Sequence, residues 1–69
     1  MKLSARNKLA GTITSITKGQ AIANVALDVA GQRLVASITV EAIDELRLRE
    51  GASVTAIIKA SDVIIATDG

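Results

Sequence analysis

The 69-residue sequence contains no cysteine, histidine, proline or aromatic residue. Cys and His are the usual ligands of zinc and other transition-metal cations, so their absence argues against a cation site of that kind. The same absence removes the commonest nucleophile–base pairs, and we expect no enzyme. A chain without cysteine forms no disulfide, which fits a reducing compartment.

The sequence also lacks a strong charge of either sign. Eight Lys and Arg against seven Asp and Glu leave a net charge of +1. Nucleic-acid binders show a basic field, and single-strand binders also stack bases on aromatic rings, so no nucleic-acid partner is expected. No apolar run reaches transmembrane length and no signal peptide is recognisable. We therefore expect one cytoplasmic domain over residues 1–69, with no membrane contact.

Nearly half of the residues, 49%, are hydrophobic, and without aromatics the core has to consist of Ile, Val, Leu and Ala. A domain this small buries little surface by itself, and it has no disulfide to compensate. Burial between subunits is the simplest way to cover the remaining apolar side chains. The composition therefore predicts a homo-oligomer and leaves the number of its subunits open.

Apolar residues mostly recur with a period of two, which is typical of strands. The period changes after Thr39, which can cap a helix over residues 40–49, with Gly51 as the residue after its end. Three strands, one helix and two strands is the order of an OB-type barrel. The predicted fold is all-β with one short helix, a five-stranded OB-like Greek-key barrel. Its predicted strands are 9–16, 21–29, 33–39, 53–60 and 62–67.

Two short polar clusters flank the predicted strands at either end of the chain. The first is Ser4, Ala5, Arg6 and Asn7, and the second is Lys59, Ala60 and Ser61. Hydroxyls, backbone N–H groups and cations donate hydrogen bonds, and an oxyanion accepts them and donates none. If the fold brings the clusters together, they form an anion pocket. Alternation along a strand places the side chains of Lys59 and Ser61 on one face.

Each cluster also has a simpler interpretation. Arg6 alone could be a solvated charge, and Lys59 could be an outward-facing lysine that protects a sheet edge. Asp62 is interpreted as a turn residue and not as an anion ligand. The acidic residues of the predicted helix are interpreted as a solvated, charge-balanced face.

These residues carry a family resemblance. The pattern SARN-x-L-x-G-x-[IV], a middle ITVEAIDELRLREG and a final VTAIIKASDVIIATD resemble the molbindins, small mop-type proteins related to TOBE domains. The resemblance implies binding of molybdate, with tungstate as a surrogate, for intracellular storage or buffering. It also implies a hexamer, a trimer of dimers with anions held between subunits, and an OB-like fold.

The resemblance adds further candidate residues. The same module occurs in a molybdate-responsive transcription regulator, and the resemblance to it implies a hydroxyl of the pocket near Thr39. Ala42 stands where that regulator has a second hydroxyl. The resemblance also allows a second class of anion site, for which the turn residues Lys18, Gly19 and Gln20 are candidates, although an ordinary turn is the simpler interpretation. Two other functions stay open: an OB-type interaction module that binds a protein or RNA, and the ligand-sensing part of a larger regulator.

Overall fold

The computed structural model describes Ser4 and residues 6–69. Four strands form one antiparallel sheet in the order β3-β2-β1-β4. The elements are β1 (Asn7–Lys18), β2 (Ile22–Val29), β3 (Gln32–Thr39), α1 (Val40–Glu45), β4 (Ser53–Ile58) and a 3-10 turn (Ala60–Asp62). None of the helices in the described part of the chain is long and apolar enough to cross a membrane.

Strand β1 joins the two halves of the sheet. Its first half pairs with β4 and its second half with β2, and Thr12 pairs with both Ser53 and Asp28. A Cβ at Gly11 would lie 3.0 Å from the carbonyl oxygen of Asp28, so a residue without a side chain suits this crossing. The glycine of the quoted pattern therefore has a packing reason.

The β2–β3 hairpin turns at Ala30 and Gly31, whose φ angles are 51° and 84°. Two successive positive φ angles are typical of the two-residue turn that matches the twist of paired strands. The predicted turn was too long by one residue, because Gln32 already pairs with Val29 in the ladder.

The core lies between the sheet and α1. Strand β2 contributes Ala23, Val25 and Leu27, which alternate as the sequence predicts, and they pack with Ile13 of β1 and Ile43 of α1. Each of these five residues is at most 4% exposed. Burial of large aliphatic side chains is the main stabilising contribution here.

The helix is shorter than predicted: it ends at Glu45 and not at residue 49. Arg47 adopts a positive φ of 53°, its N–H donates to the Asp44 oxygen, and the Leu48 N–H donates to the Ile43 oxygen. These bonds form a Schellman C-cap, which satisfies carbonyls at the helix end. The assignment of Gly51 as the residue after the helix was wrong, since Gly51, at φ 85°, belongs to a later turn.

The predicted fifth strand, 62–67, is absent from the described chain, so a closed five-stranded barrel is not confirmed. Residues 60–62 form the 3-10 turn, and 63–69 have no regular structure. A strand exists only where its N–H and C=O groups meet a partner edge, and a local apolar pattern cannot supply that partner. The predicted fourth strand likewise ends at Ile58 and not at residue 60. The all-β class with one short helix is confirmed.

Candidate functional site

The structure brings Arg6 and Asn7 of the first cluster to the same end of the sheet as Lys59 of the second cluster, within one chain. The first residue of β1, Asn7, pairs with the last residue of β4, Ile58. The side-chain amide of Asn7 also donates to the Ile58 carbonyl oxygen at 3.2 Å. Arg6 directly precedes this pair and Lys59 directly follows it, so both cations lie at one end of the β1–β4 ladder.

The electrostatics of this end favour an anion. Like charges that lie across from each other on neighbouring strands repel, and an anion between them relieves the repulsion. The side chains of Arg6 and Lys59 are both exposed. The only ion pair within Ser4 and 6–69 is elsewhere, between Lys18 and Asp44, so neither cation is neutralised by a carboxylate in this part of the chain.

Lys59 and Ser61 do not continue β4. Lys59 is the cap of the 3-10 turn, and its carbonyl oxygen accepts a 2.9 Å hydrogen bond from the N–H of Asp62. The expectation that Lys59 and Ser61 share a strand face was therefore wrong. The first N–H groups of the turn, those of Ala60 and Ser61, have no acceptor inside the turn, which is typical of a helix start. Asp62 lies in the turn, as the sequence predicts.

The rest of the first cluster is described only in part. Ser4 lies in an exposed bend. Ala5 lies outside the described residues. Asn7 is half-buried, and one hydrogen of its amide group is used in the bond to Ile58, which leaves the second for a ligand.

Thr39 lies at the other end of the sheet. It pairs with Ile22 at the start of β2, next to the end of β1 at Lys18. Eleven residue steps of β1 separate Lys18 from Asn7, which is about 36 Å at a rise of about 3.3 Å per residue. One chain therefore does not bring Thr39 to the Arg6–Lys59 end.

Thr39 caps α1, and this role leaves its proton available. Its hydroxyl oxygen accepts a 3.0 Å hydrogen bond from the N–H of Ala42. A hydroxyl carries a donor as well as acceptor lone pairs, so the same group can donate to an oxyanion while it caps. The two interpretations of Thr39 are compatible.

The turn proposed as a second anion site is largely occupied by internal contacts. Lys18 is the last residue of β1, where the sequence predicted a turn, and its Nζ lies 3.6 Å from a carboxylate oxygen of Asp44. The Gly19 N–H donates to the Ile22 oxygen at 2.8 Å. Gln20 is exposed in a bend. These contacts favour an ordinary turn over an anion site formed by the hydrogen-bond donors of one chain.

A wide cleft that the sequence did not predict lies on the middle of β1. It has a volume of about 530 Å³, and the hydroxyl residues Thr12, Ser53 and Thr55 line it together with Asp28. The carboxylate of Asp28 repels a dianion. The cleft is therefore a poorer oxyanion site than the β1–β4 end.

Comparisons with known proteins find similar proteins that match nearly the whole chain. The TOBE domain family model matches residues 3–65. Molybdenum-pterin-binding protein 1 of Clostridium pasteurianum is 42% identical over 66 residues, which cover 94% of this chain and 97% of that protein. The probable molybdenum-pterin-binding protein of Haemophilus influenzae is 39% identical over 69 residues, which cover 99% and 100%.

Two solved structures resemble this one closely. A molybdate-binding protein from Sporomusa ovata superposes with a TM-score of 0.93 at 40% identity, covering 97% of this chain and all of the other. The cytoplasmic molybdate-binding protein ModG, in a form with molybdate bound, gives a TM-score of 0.88 at 46% identity. This match covers 93% of the chain and 46% of ModG.

Proposed function

Because the chain belongs to the TOBE domain family, we propose that it binds molybdate reversibly and stores or buffers this oxyanion in the cytoplasm. The observation that carries the proposal is the pairing of Asn7 with Ile58, which places Arg6 and Lys59 at one end of the sheet. The comparisons support this function over an interaction module for protein or RNA. The proposed role is binding without catalysis, by a single domain over residues 1–69.

In the proposed site, Arg6 and Lys59 supply charge-assisted hydrogen bonds. Arg6 can offer a fork of two parallel donors to two oxygens of one ion, while Lys59 acts as a point charge. The hydroxyls of Ser4 and Ser61 and the N–H groups of Ala5, Ala60 and Ser61 complete a set made of donors. Asn7 holds the two strands in register beneath it.

A pocket made of donors distinguishes anions by their protonation. Molybdate and tungstate are fully deprotonated at neutral pH and offer acceptors only. Phosphate keeps a proton, which would face a donor and leave a hydrogen bond unmade. Sulfate is also deprotonated but smaller, so the size of the pocket has to reject it.

The complete site is proposed to lie between copies in a hexamer, a trimer of dimers. Thr39 is remote from Lys59 along β1 of its own chain, so its hydroxyl reaches an anion at that end only from a second copy. The turn Lys18, Gly19 and Gln20 stays a candidate for a second class of site, formed only where several copies meet.

Titration calorimetry tests the function directly. We expect heat on addition of molybdate, competition by tungstate at similar concentration, and weak competition by sulfate and phosphate. Single-stranded RNA serves as the control titrant and should give no binding heat. The absence of molybdate binding would refute the proposal, and displacement of molybdate by equimolar phosphate would refute the donor-only site.

A further inference from the structure

A row of polar side chains crosses the sheet on the face opposite the core. Leu27 belongs to the core, so its neighbour Asp28 lies on the other face of β2. The same alternation places Thr12 on the other face of β1 from the buried Ile13. Thr12 pairs with both Asp28 and Ser53, so these three side chains lie side by side across β2, β1 and β4. Neighbouring strands are about 4.8 Å apart, and the row therefore spans about 10 Å.

This row lines the wide cleft on the middle of β1, which has a volume of about 530 Å³. Three other lining residues are small, Ala10, Gly11 and Ala30, and they leave the space beside the row open. Thr55 pairs with Ala10 and adds a hydroxyl on the same face. Sites for small molecules commonly have volumes of about 300–1,000 Å³. The cleft therefore has the size of a site for a small organic molecule.

The polar side chains of the cleft are available to a ligand. Within Ser4 and residues 6–69, no side-chain hydrogen bond or ion pair uses Thr12, Ser53, Thr55 or Asp28. A hydroxyl group both donates and accepts hydrogen bonds, whereas a carboxylate only accepts them. The lining thus offers acceptors on all four side chains and donors on the three hydroxyls.

Asp28 gives the cleft a single negative charge, because no other lining residue is ionisable. Arg33 pairs with Asp28 from β3, on the side away from β1, but no ion pair joins the two side chains in the described part of the chain. A carboxylate without a cationic partner attracts a positive charge. One carboxylate balances one such charge, so the cleft favours a monocation.

A metal ion is a poorer occupant than an organic cation. Ca²⁺ takes about six to eight oxygen ligands, most of them from carboxylates and carbonyls. The described residues contain no group of three or more His, Cys, Asp and Glu side chains that could hold a metal ion. A protonated amine needs no such shell, since it donates three hydrogen bonds and carries one charge.

We propose that this cleft binds a small organic monocation, a protonated primary amine on a body that carries neutral hydroxyl groups. The ammonium group donates to the carboxylate of Asp28 and to the adjacent hydroxyl oxygen of Thr12. The hydroxyls of the ligand exchange hydrogen bonds with Ser53 and Thr55. The site is independent of the anion site, because Thr12 lies five residues along β1 from Asn7, about 17 Å at about 3.3 Å per residue.

The first experiment compares glucosamine with glucose, since the two sugars differ only in an amine that replaces a hydroxyl. The protein is titrated in its native assembly without molybdate, at a pH below the pKa of the glucosamine amine, and its amide resonances are followed by NMR. Glucosamine should give saturable shifts at Thr12, Ser53 and Thr55, with an affinity at least about tenfold higher than that of glucose. Equal affinities for the two sugars overturn the proposal. Shifts confined to other parts of the chain also overturn it, as does the absence of saturable shifts, which a cleft covered by another copy would give.

The second experiment removes the charge of the cleft. Asp28→Asn keeps the size of the side chain and should weaken glucosamine binding about tenfold, because the ammonium group loses its ionic acceptor. The melting temperature should stay close to that of the parent, because the Asp28 side chain is exposed. Asp44→Asn removes an exposed carboxylate from α1 and should leave glucosamine binding unchanged. Parent-like glucosamine affinity in Asp28→Asn overturns the proposal.

The third experiment fills the cleft without a change of charge. Ala10 is exposed on β1, so Ala10→Leu should fold normally and place a larger side chain in the space between Ala30 and Thr55. Glucosamine binding should be lost in this variant. Glucosamine binding that is retained in Ala10→Leu places the amine elsewhere and overturns the proposal.

Discussion

The side-chain amide of Asn7 and the backbone carbonyl of Ile58, 51 positions apart, are joined by a 3.2 Å hydrogen bond. The same two residues are partners in the β1–β4 ladder. This double attachment fixes where the chain enters the sheet relative to where it leaves β4. The two basic residues of the candidate site are the immediate neighbours of that attachment.

Replacement of Lys59 by Ala should weaken molybdate binding about ten- to hundredfold, since a hydrogen bond to a charged group is worth about 1.5–3 kcal/mol. The fold should be retained, because Lys59 is exposed and lies beyond the end of β4. Calorimetry measures the affinity. Lys8→Ala removes another exposed lysine, from the β1 position that pairs with Ile57, and should leave the affinity within about twofold. Equal affinities in both variants would remove Lys59 from the site.

Replacement of Asn7 by Ala should lower both stability and affinity. The Ile58 carbonyl loses one donor in a half-buried position, which costs about 0.5–1.5 kcal/mol, and the strand ends that position the cations become less constrained. Thermal unfolding and calorimetry measure the two effects. Asn24→Ala removes an amide that accepts an exposed hydrogen bond from Ser37, and it should change neither quantity much. An Asn7→Ala protein with parent-like affinity would show that the attachment does not position the site.

Two substitutions of Thr39 separate its roles. Thr39→Asp keeps an acceptor for the Ala42 N–H and so keeps the helix cap, but a carboxylate cannot donate to an oxyanion and repels it. Thr39→Ala removes both groups and should cost about 0.5–2 kcal/mol of stability. If Thr39 contributes to the anion site from a second copy, Thr39→Asp should retain the melting temperature and lose affinity. Retained affinity in Thr39→Asp would leave Thr39 with the capping role alone.

Replacement of Arg47 by Gly should stabilise the protein by up to about 1 kcal/mol. Arg47 holds a φ of 53°, which costs a residue with a Cβ roughly 1–2 kcal/mol, and part of the gain is offset by the greater freedom of glycine in the unfolded chain. Arg49→Gly is the matched control, because Arg49 has no positive φ and gains no relief. Denaturant unfolding of the two variants should give shifts of opposite sign.

Much of the sheet is predictable, because the alternation in β2 agrees with burial at Ala23, Val25 and Leu27, although Ala26 between them is buried as well. The end of the helix is not predictable from the sequence. The apolar stripe continues through Leu46 while the backbone turns at Arg47, and an arginine in the sequence does not indicate a positive φ. The predicted ends of β1 and β4 fail for a related reason. Partner strands decide how far a strand runs, and pairing is a non-local property.

The candidate site is likewise predictable in part: its residue types are, and its three-dimensional arrangement is not. The residue types of both clusters indicate an anion pocket, and the ladder places Arg6, Asn7 and Lys59 at one end of the sheet. The remoteness of Thr39 follows from the length of β1 and from the pairing of Ile22 with Thr39, which no local pattern reveals. The site prediction assumed that strand alternation continues from Lys59 to Ser61, but residues 60–62 form a 3-10 turn, so the assumption fails there.

The pairing of β1 with two different strands, β2 and β4, sets an order in which the parts of the sheet fold and unfold. The β2–β3 hairpin closes over a two-residue turn, whereas β4 has to find β1 across most of the chain, as the pairing of Asn7 with Ile58 shows. Contacts of long sequence separation form late because loop closure costs entropy before it is rewarded. The candidate site is therefore built last and exposed first in local unfolding. A bound oxyanion would stabilise the β1–β4 ladder against local unfolding. Amide hydrogen exchange in β4 would therefore slow on binding more than exchange in the β2–β3 hairpin.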